Sequence, residues 1–441
     1  MNLPSINKQC FVASETLNLV NASIRDLKRV LDASVITSVQ LVTIYLQRIA
    51  KYDCNGPSLN QIPVPNPKIF EEAQASDNYR ASVEGLTVAA GSPPFADLNF
   101  SCDATIVSSL RKAGAIVLGK TNMPAMAGGG GQRGLYGRSK SPYNPKYSTT
   151  AYASRSSNSA GTPTTASFTA FGFAGETVSS GRSPASNNAL VRYSPSRGVI
   201  PFQGQWPLYL TCDVIVPHAQ TVKELLDILN VIMTDNPNPI GDFWRGQSVC
   251  PIPLSSQVWP VDCQSLEDPH SLKGKQITIP MRYIRKQFPT AVNALNAFTS
   301  SVHDLWLKAQ TTLESLGATV IPWPEHRHSL NAHSMDEHRT MPDDHYWMGR
   351  FPPPNGDTSY PNLTVADADM IHPHIAPMDD PTMHTEVENH VRYMDMIEAG
   401  RYQGPREMWK RDLEDWMDSN SFNLVVFPTN GDVARADSEE L

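Results

Sequence analysis

Amphipathic helices alternate with short apolar strands along this chain, and this alternation limits the folds open to it. Residues 104–110 place their apolar side chains on one helical face, Gly114 ends the helix, and residues 115–118 read as a short buried strand. A strand at 277–279, a helix and a strand at 318–321 repeat the rhythm. Strands that alternate with helices predict an α/β fold.

Further helices are predicted where apolar side chains recur at helical spacing, over residues 23–31, 68–75 and 221–233. Thr37 is the expected N-cap of one more helix, because its hydroxyl can accept a hydrogen bond from the first turn of the apolar series that follows, which ends at Ile49.

This pattern predicts two units. Residues 1–75 form an N-terminal helical region, and residues 76–441 form the α/β core. Residues 322–385, rich in His, Pro, Asp and Met, are expected to be an irregular insertion in that core, and residues 424–428 read as a late strand.

Charge and hydropathy exclude several classes of function. The chain has 36 Lys and Arg against 44 Asp and Glu, and its net charge of −8 argues against a nucleic-acid or anionic-membrane partner. No stretch approaches the roughly 18 apolar residues of a transmembrane helix, and no secretory signal is visible. We expect a cytoplasmic protein without a cofactor; its oligomeric state stays open.

The most informative stretch is residues 154–198. Residues 154–159 read Ser-Arg-Ser-Ser-Asn-Ser, residues 175–186 read Gly-Glu-Thr-Val-Ser-Ser-Gly-Arg-Ser-Pro-Ala-Ser, and residues 194–198 read Ser-Pro-Ser-Arg-Gly. Taken alone, such a composition also suits a flexible linker. In order and spacing the motifs resemble those of the amidase-signature family of serine hydrolases, as does the Ala-Gly-Ala-Ile-Val-Leu-Gly-Lys-Thr-Asn-Met-Pro of residues 113–124.

The resemblance covers residues 20–232 and identifies the chain as a divergent, fungal-type member. It implies an α/β/α sandwich around a large mixed twisted β-sheet. It also implies an amidase that cleaves a carboxamide C–N bond through an acyl-enzyme, with a small-molecule amide as substrate and with no metal.

Site residues follow from the matched motifs. Ser180, two positions before Arg182, corresponds to the nucleophile, and Ser156 to the serine on a cis peptide bond that relays its proton. Glu176 and Arg182 correspond to an ion pair that braces the loop. A serine hydroxyl is a poor nucleophile until a base takes its proton, and the oxyanion needs preorganised donors. The expected donors are the backbone N–H groups of Thr177, Val178, Ser179 and Ser180.

The family's base, a lysine, is not found. No lysine lies between Lys68 and Lys112, and Ser76 stands where the lysine is expected. Lys120, in the Gly-Lys-Thr-Asn turn, is a candidate substitute; the alternative is a structural lysine. The chain also stops soon after the strand at 424–428, where the resemblance implies further strands and helices.

Three functions stay open. The first is an amide hydrolase that uses Ser180. The second is a catalytically impaired remnant or binding protein that keeps the fold without the base. The third is metal chemistry on the segment 326–390, which holds nine of the twelve histidines but no His-Glu-x-x-His helix; solvated histidines in a polar loop are the alternative.

Overall fold

A computed structural model supplies the fold. It describes residues 17–78, 90–98, 103–127, 134–150, 158–177, 179–205, 208, 212–237, 239, 242–246, 251–280, 284, 300–323 and 413–430. Among these residues there is no helix both long and apolar enough to cross a membrane.

Helices and strands alternate along the described residues, which confirms the α/β class. The helices include α1 (Ile24–Asp32), α2 (Ser38–Ile49), α3 (Ile69–Asn78), α4 (Thr105–Lys112), α5 (Asn158–Thr165), α6 (Arg182–Asn187), α7 (Val222–Ile232), α8 (Phe243–Gly246), α9 (Ser255–Val258) and α10 (Ser300–Ser315). The strands are β1 (Val64–Pro65), β2 (Gly119–Lys120), β3 (Gly172–Glu176), β4 (Val191–Arg192), β5 (Val214–Ala219), β6 (Gln276–Ile279), β7 (Thr319–Pro322) and β8 (Leu424–Val425).

Reciprocal caps fix where the main helices begin. The Thr37 hydroxyl accepts from the N–H of Gln40, whose side chain accepts from the N–H of Thr37, so α2 starts where the sequence predicts. Thr221 and Glu224 form the same capping box at the start of α7. Each cap satisfies N–H groups that a helix cannot pair internally.

A three-stranded antiparallel sheet, in the order β3-β5-β4, holds the centre of the chain. Gly172 lies opposite His218 at one end of the β3–β5 pair, and Glu176 lies opposite Val214 at the other. The central strand β5 is buried along nearly its whole length. The turn that follows β3 is therefore anchored on a buried strand.

A second three-stranded sheet, in the order β7-β6-β8, is parallel. Ile277 of β6 pairs with Val320 on one side and with Leu424 on the other. The strand–helix–strand unit β6-α10-β7 confirms the rhythm predicted from the sequence, since parallel neighbours need a crossover connection.

The strand predicted over 115–118 is wrong. Gly114 ends α4 with φ +93° as expected, but the chain pairs as a strand only at β2, against β1. Side chains take the place of a neighbouring strand: the Val117 carbonyl accepts from Asn66 Nδ2 at 2.7 Å, and the Val117 N–H lies 3.4 Å from Glu72 Oε2. Extended backbone satisfied by side chains forms no ladder.

Among the residues that the structure describes, the largest core cluster lies between α7 and the β3-β5-β4 sheet. Its α7 members include Leu225, Leu229 and Ile232, and β5 contributes Ile215. The division of the chain at residue 75 stays a prediction.

Replacing Ile232 by Ala tests this core. Ile232 is fully buried, so Ile232→Ala should lower the free energy of unfolding by about 2–5 kcal/mol, through lost burial and the cavity it leaves. Urea denaturation measures the change. Val222→Ala, on the 57% exposed first position of α7, is the control and should stay within about 0.5 kcal/mol. Equal losses in both variants would contradict the assignment of the core.

Candidate active site

The candidate nucleophile lies in the short turn between β3 and α6. β3 ends at Glu176, Gly181 precedes the first helical residue Arg182, and Ser180 stands directly before this glycine. Ser180 is 3% exposed. Its position is therefore set by the residues on both sides of the turn and by the strand beneath it.

The carboxylate of Glu176 organises this turn. Oε2 accepts from the backbone N–H groups of Gly181, at 3.0 Å, and Arg182, at 2.7 Å. Oε1 accepts from Arg182 Nη2 at 2.9 Å and from Ser194 Oγ at 3.1 Å. The ion pair expected from the sequence is thus present, and the carboxylate additionally serves as a cap for the first N–H groups of α6.

Sequence reasoning missed the backbone half of this arrangement. A carboxylate five residues ahead of a Ser-Gly turn that opens a helix is a signal for such a cap, because the first N–H groups of a helix have no partner inside it. Of the two roles of Glu176, the sequence predicted the ion pair with Arg182 and not the cap.

Thr177, the first residue of the turn, is also held by a hydrogen bond. Its hydroxyl donates to Asp213 Oδ1 at 2.6 Å, and the other oxygen of Asp213 accepts from the N–H of Leu208 at 2.7 Å. The start of the turn is therefore held from the segment that leads into β5.

Strand β5 lies directly under Gly181. A Cβ atom placed on Gly181 would sit 2.8 Å from the side chain of Val216, so only glycine fits here. Two residues along the strand, His218 Nε2 lies 2.9 Å from the carbonyl oxygen of Gly181. A carbonyl only accepts, so Nε2 carries the proton and donates. Nothing in the sequence singled out His218.

The imidazole of His218 is fully buried, and its environment controls its charge. Burial lowers the pKa of His218 to about 4; the bond to Gly181 opposes this, the charge of Arg192 adds to it and Glu176 opposes it. Nδ1 is buried and has no hydrogen-bond partner among the described residues. His218 is therefore neutral at pH 7.

Two of the expected site residues, Ser156 and Val178, lie outside the described residues, as does the segment 326–390. The helix that begins just after Ser156, α5, packs against α6 through Thr162 and Asn188, whose hydroxyl and amide oxygen are 3.4 Å apart. The segments that follow the two serines are thus neighbours. Across the part of the chain that the structure describes, no three His, Cys, Asp or Glu side chains gather as metal ligands.

A cavity of about 1160 Å³ adjoins the turn. Thr177, Lys120 and Ser76 all border it, together with apolar side chains of α1, α2 and α4. Ser76, at the position expected for the base, lies in the helix α3. The cavity thus joins the candidate substitute base to the start of the turn.

The Lys120 side chain is exposed, and it borders the cavity. Desolvation by the surrounding protein lowers the pKa of the Lys120 amine, and the charge of Asp103 opposes the shift.

Comparison with known proteins decides the family. The family model described as Amidase matches residues 77–336, which is more than half of the chain. The chain belongs to the amidase family. The match includes β3, the turn with Ser180, and β5.

Curated amidase relatives match part of the chain. A probable amidase of Arabidopsis thaliana is 29% identical over 254 residues, which are 51% of this chain and 48% of the relative. A glutamyl-tRNA(Gln) amidotransferase subunit from Azoarcus sp. strain BH72 is 31% identical over 202 residues, 41% of this chain and 40% of the relative. The chain spans less than half the length of these two proteins.

Solved amidase structures share the fold. An amidase family protein from Bacillus anthracis strain Ames superposes with a TM-score of 0.73 at 21% identity, covering 93% of this chain and 81% of that one. A 6-aminohexanoate cyclic dimer hydrolase superposes with a TM-score of 0.68 at 15% identity, covering 96% and 83%. At these identities the likeness establishes the amidase-signature α/β fold alone.

Replacing Glu176 by Gln tests the carboxylate that holds the turn. Glu176→Gln should lower the free energy of unfolding by about 2–3 kcal/mol, because three N–H donors lose a charged acceptor. Urea denaturation measures this. Glu267→Gln, which disrupts the partly exposed pair with Arg25, is the matched control and should cost less than about 1 kcal/mol. A loss no larger than the control's would refute the role of Glu176.

Stability should depend on pH through His218. The unfolded imidazole binds a proton below pH about 6.5, whereas the folded one stays neutral down to about 4. The contribution of His218 is complete above pH 6.5 and is lost progressively as the pH falls towards 4. His218→Gln should flatten this part of the stability curve, measured as urea midpoints from pH 7.5 to 4.5. Parallel curves for the two proteins would contradict the buried neutral state.

Proposed function

We propose that the chain is a serine hydrolase of amidase type, with Ser180 as its nucleophile. The observation that carries the proposal is the rigid turn: Ser180 stands between Glu176, which holds the two following N–H groups, and strand β5, on which Gly181 rests. The Ser180 hydroxyl attacks the carboxamide carbon, the amine leaves with the proton, and water then releases the acid from the acyl-enzyme.

The turn also restricts the donors for the oxyanion. Glu176 occupies the N–H groups of Gly181 and Arg182, so the donors come from earlier in the turn. We assign them to the backbone N–H groups of Thr177, Val178, Ser179 and Ser180. One such donor is typically worth about 3–4 kcal/mol of the reaction barrier.

For the proton of Ser180 we propose Ser156 as the relay, and Lys120 as the group that finally takes it up. Two features support Lys120: the cavity that it shares with Thr177, and the lowered pKa of its amine, which favours the neutral, proton-accepting form. A purely structural Lys120 is the alternative, and the variants below separate the two.

The substrate class is a small-molecule amide. Amidase relatives differ widely in substrate, as the peptide amidase of Stenotrophomonas maltophilia and the cyclic dimer hydrolase illustrate by name. No particular amide is assigned to this chain, and its cytoplasmic location stays a prediction.

Fluorophosphonate labelling tests the nucleophile. The probe should form a covalent adduct on Ser180 of the folded protein, identified by peptide mass spectrometry, and Ser180→Ala should abolish it. Ser186→Ala, which removes an exposed hydroxyl of the same helix α6, is the matched control and should label at the wild-type rate. An unlabelled wild-type protein would refute the proposal and favour a remnant or binding protein.

The same assay separates the proton acceptors. Ser156→Ala should slow labelling by about 10²–10⁴-fold, the usual worth of general-base catalysis. Lys120→Met should slow it comparably if Lys120 takes up the proton. Wild-type labelling by Lys120→Met would instead make Lys120 structural.

A further inference from the structure

Both polar groups of the Gly181 backbone are held by side chains. Its N–H donates to Glu176 Oε2, at the end of β3, and its carbonyl accepts from His218 Nε2, in β5. Consecutive peptide planes on the two sides of Gly181 are therefore fixed from two neighbouring strands. The second plane also carries the Arg182 N–H, which donates to Glu176 Oε2. Since each plane is rigid, these three bonds together set the dihedral angles of Gly181.

A glycine needs such external restraints. Gly181 adopts φ −82° and ψ −42°, but without a Cβ it can also reach many other conformations. A larger residue cannot supply the rigidity, because a Cβ here would collide with Val216. Close contact with β5 thus requires glycine, and hydrogen bonds must restrict its backbone conformation in place of a side chain.

His218 suits this task because its ring is buried in the sheet. It is fully buried in the central strand of the antiparallel sheet, and within the described parts of the chain its ring bonds to the Gly181 carbonyl alone. A buried imidazole with one unpaired nitrogen carries a cost in polar desolvation, and an apolar residue of similar size would avoid it. The bond to Gly181 is the structural reason to keep a histidine here.

We propose that His218 is a positioning residue for the reaction: its Nε2–H holds the Gly181 carbonyl so that the preceding Ser180 hydroxyl is aimed at the substrate. This role rests on the proposed function, in which Ser180 is the nucleophile. His218 acts through Gly181 and transfers no proton.

Two variants of His218 test this role. In His218→Gln the amide nitrogen can occupy the place of Nε2 and donate to Gly181. In His218→Met the side chain fills a similar volume without a donor. The maximal rate of Ser180 labelling at saturating fluorophosphonate should fall about 10- to 100-fold in His218→Met, since small misplacements of a reacting group cost this much. It should recover to within about 3-fold in His218→Gln, at an unchanged half-saturating concentration.

Ile232→Ala controls for stability alone. It weakens the same sheet–helix core without touching the turn, so its labelling rate should stay within about 2-fold of the wild type. Should His218→Met fail to fold, His218→Asn takes its place, because its shorter amide cannot reach the Gly181 carbonyl. A His218→Met or His218→Asn protein that labels at the wild-type rate overturns the proposal.

Hydrogen exchange distinguishes the failure of this inference from that of the proposed function. Amides of the peptide that covers residues 177–187 should exchange faster in His218→Met than in the wild type, and normally in His218→Gln. If Ser180 of the wild type is not labelled, the proposed function fails, and with it the catalytic part of the role; faster exchange then retains the structural clamp. Unchanged exchange overturns the clamp in every case.

Discussion

The buried carboxylate of Glu176 is the contact on which the candidate site depends. Glu176 is the last residue of strand β3. Its carboxylate caps helix α6 and accepts a hydrogen bond from Ser194, which precedes β5. A buried carboxylate is stable only when hydrogen bonds replace its hydration, and the turn provides them. The hydrogen bonds that this carboxylate accepts therefore fix the backbone next to Ser180, and the position of the serine follows from them.

Much of the fold could be predicted because its signals are local. The hydroxyl of Thr37 and the apolar series behind it predict α2, and the same logic locates α7 after Thr221. The strand at 115–118 could not be judged in this way. Its apolar residues suit a strand, but whether extended backbone pairs with a strand or with side chains depends on Asn66 and Glu72, which are distant in sequence and near in space.

For the site, the ordered motifs placed Ser180, Glu176 and Arg182 in one turn, and the structure brings them together. His218 could not be identified from the sequence, because it stands in an apolar strand and no matched motif gives it a role. Its hydrogen-bond partner is the carbonyl of Gly181, 37 residues away in the sequence. Lys120 is the opposite case. The sequence suggested it as a candidate base, but its link to the turn, a cavity that both border, is visible in the structure alone.

The two sheets differ in how far apart along the chain their strands lie. The β3-β5-β4 sheet, which carries the Ser180 turn, is built from residues 172–219 alone. In the parallel sheet, Gln276 meets Asn423 across 147 residues. Closing so long a loop has an entropic cost that slows folding. During synthesis the turn with Ser180 can therefore fold before β6 gains its second neighbour. We expect the edge of β6, unpaired until then, to be open to incorrect pairing in the nascent chain.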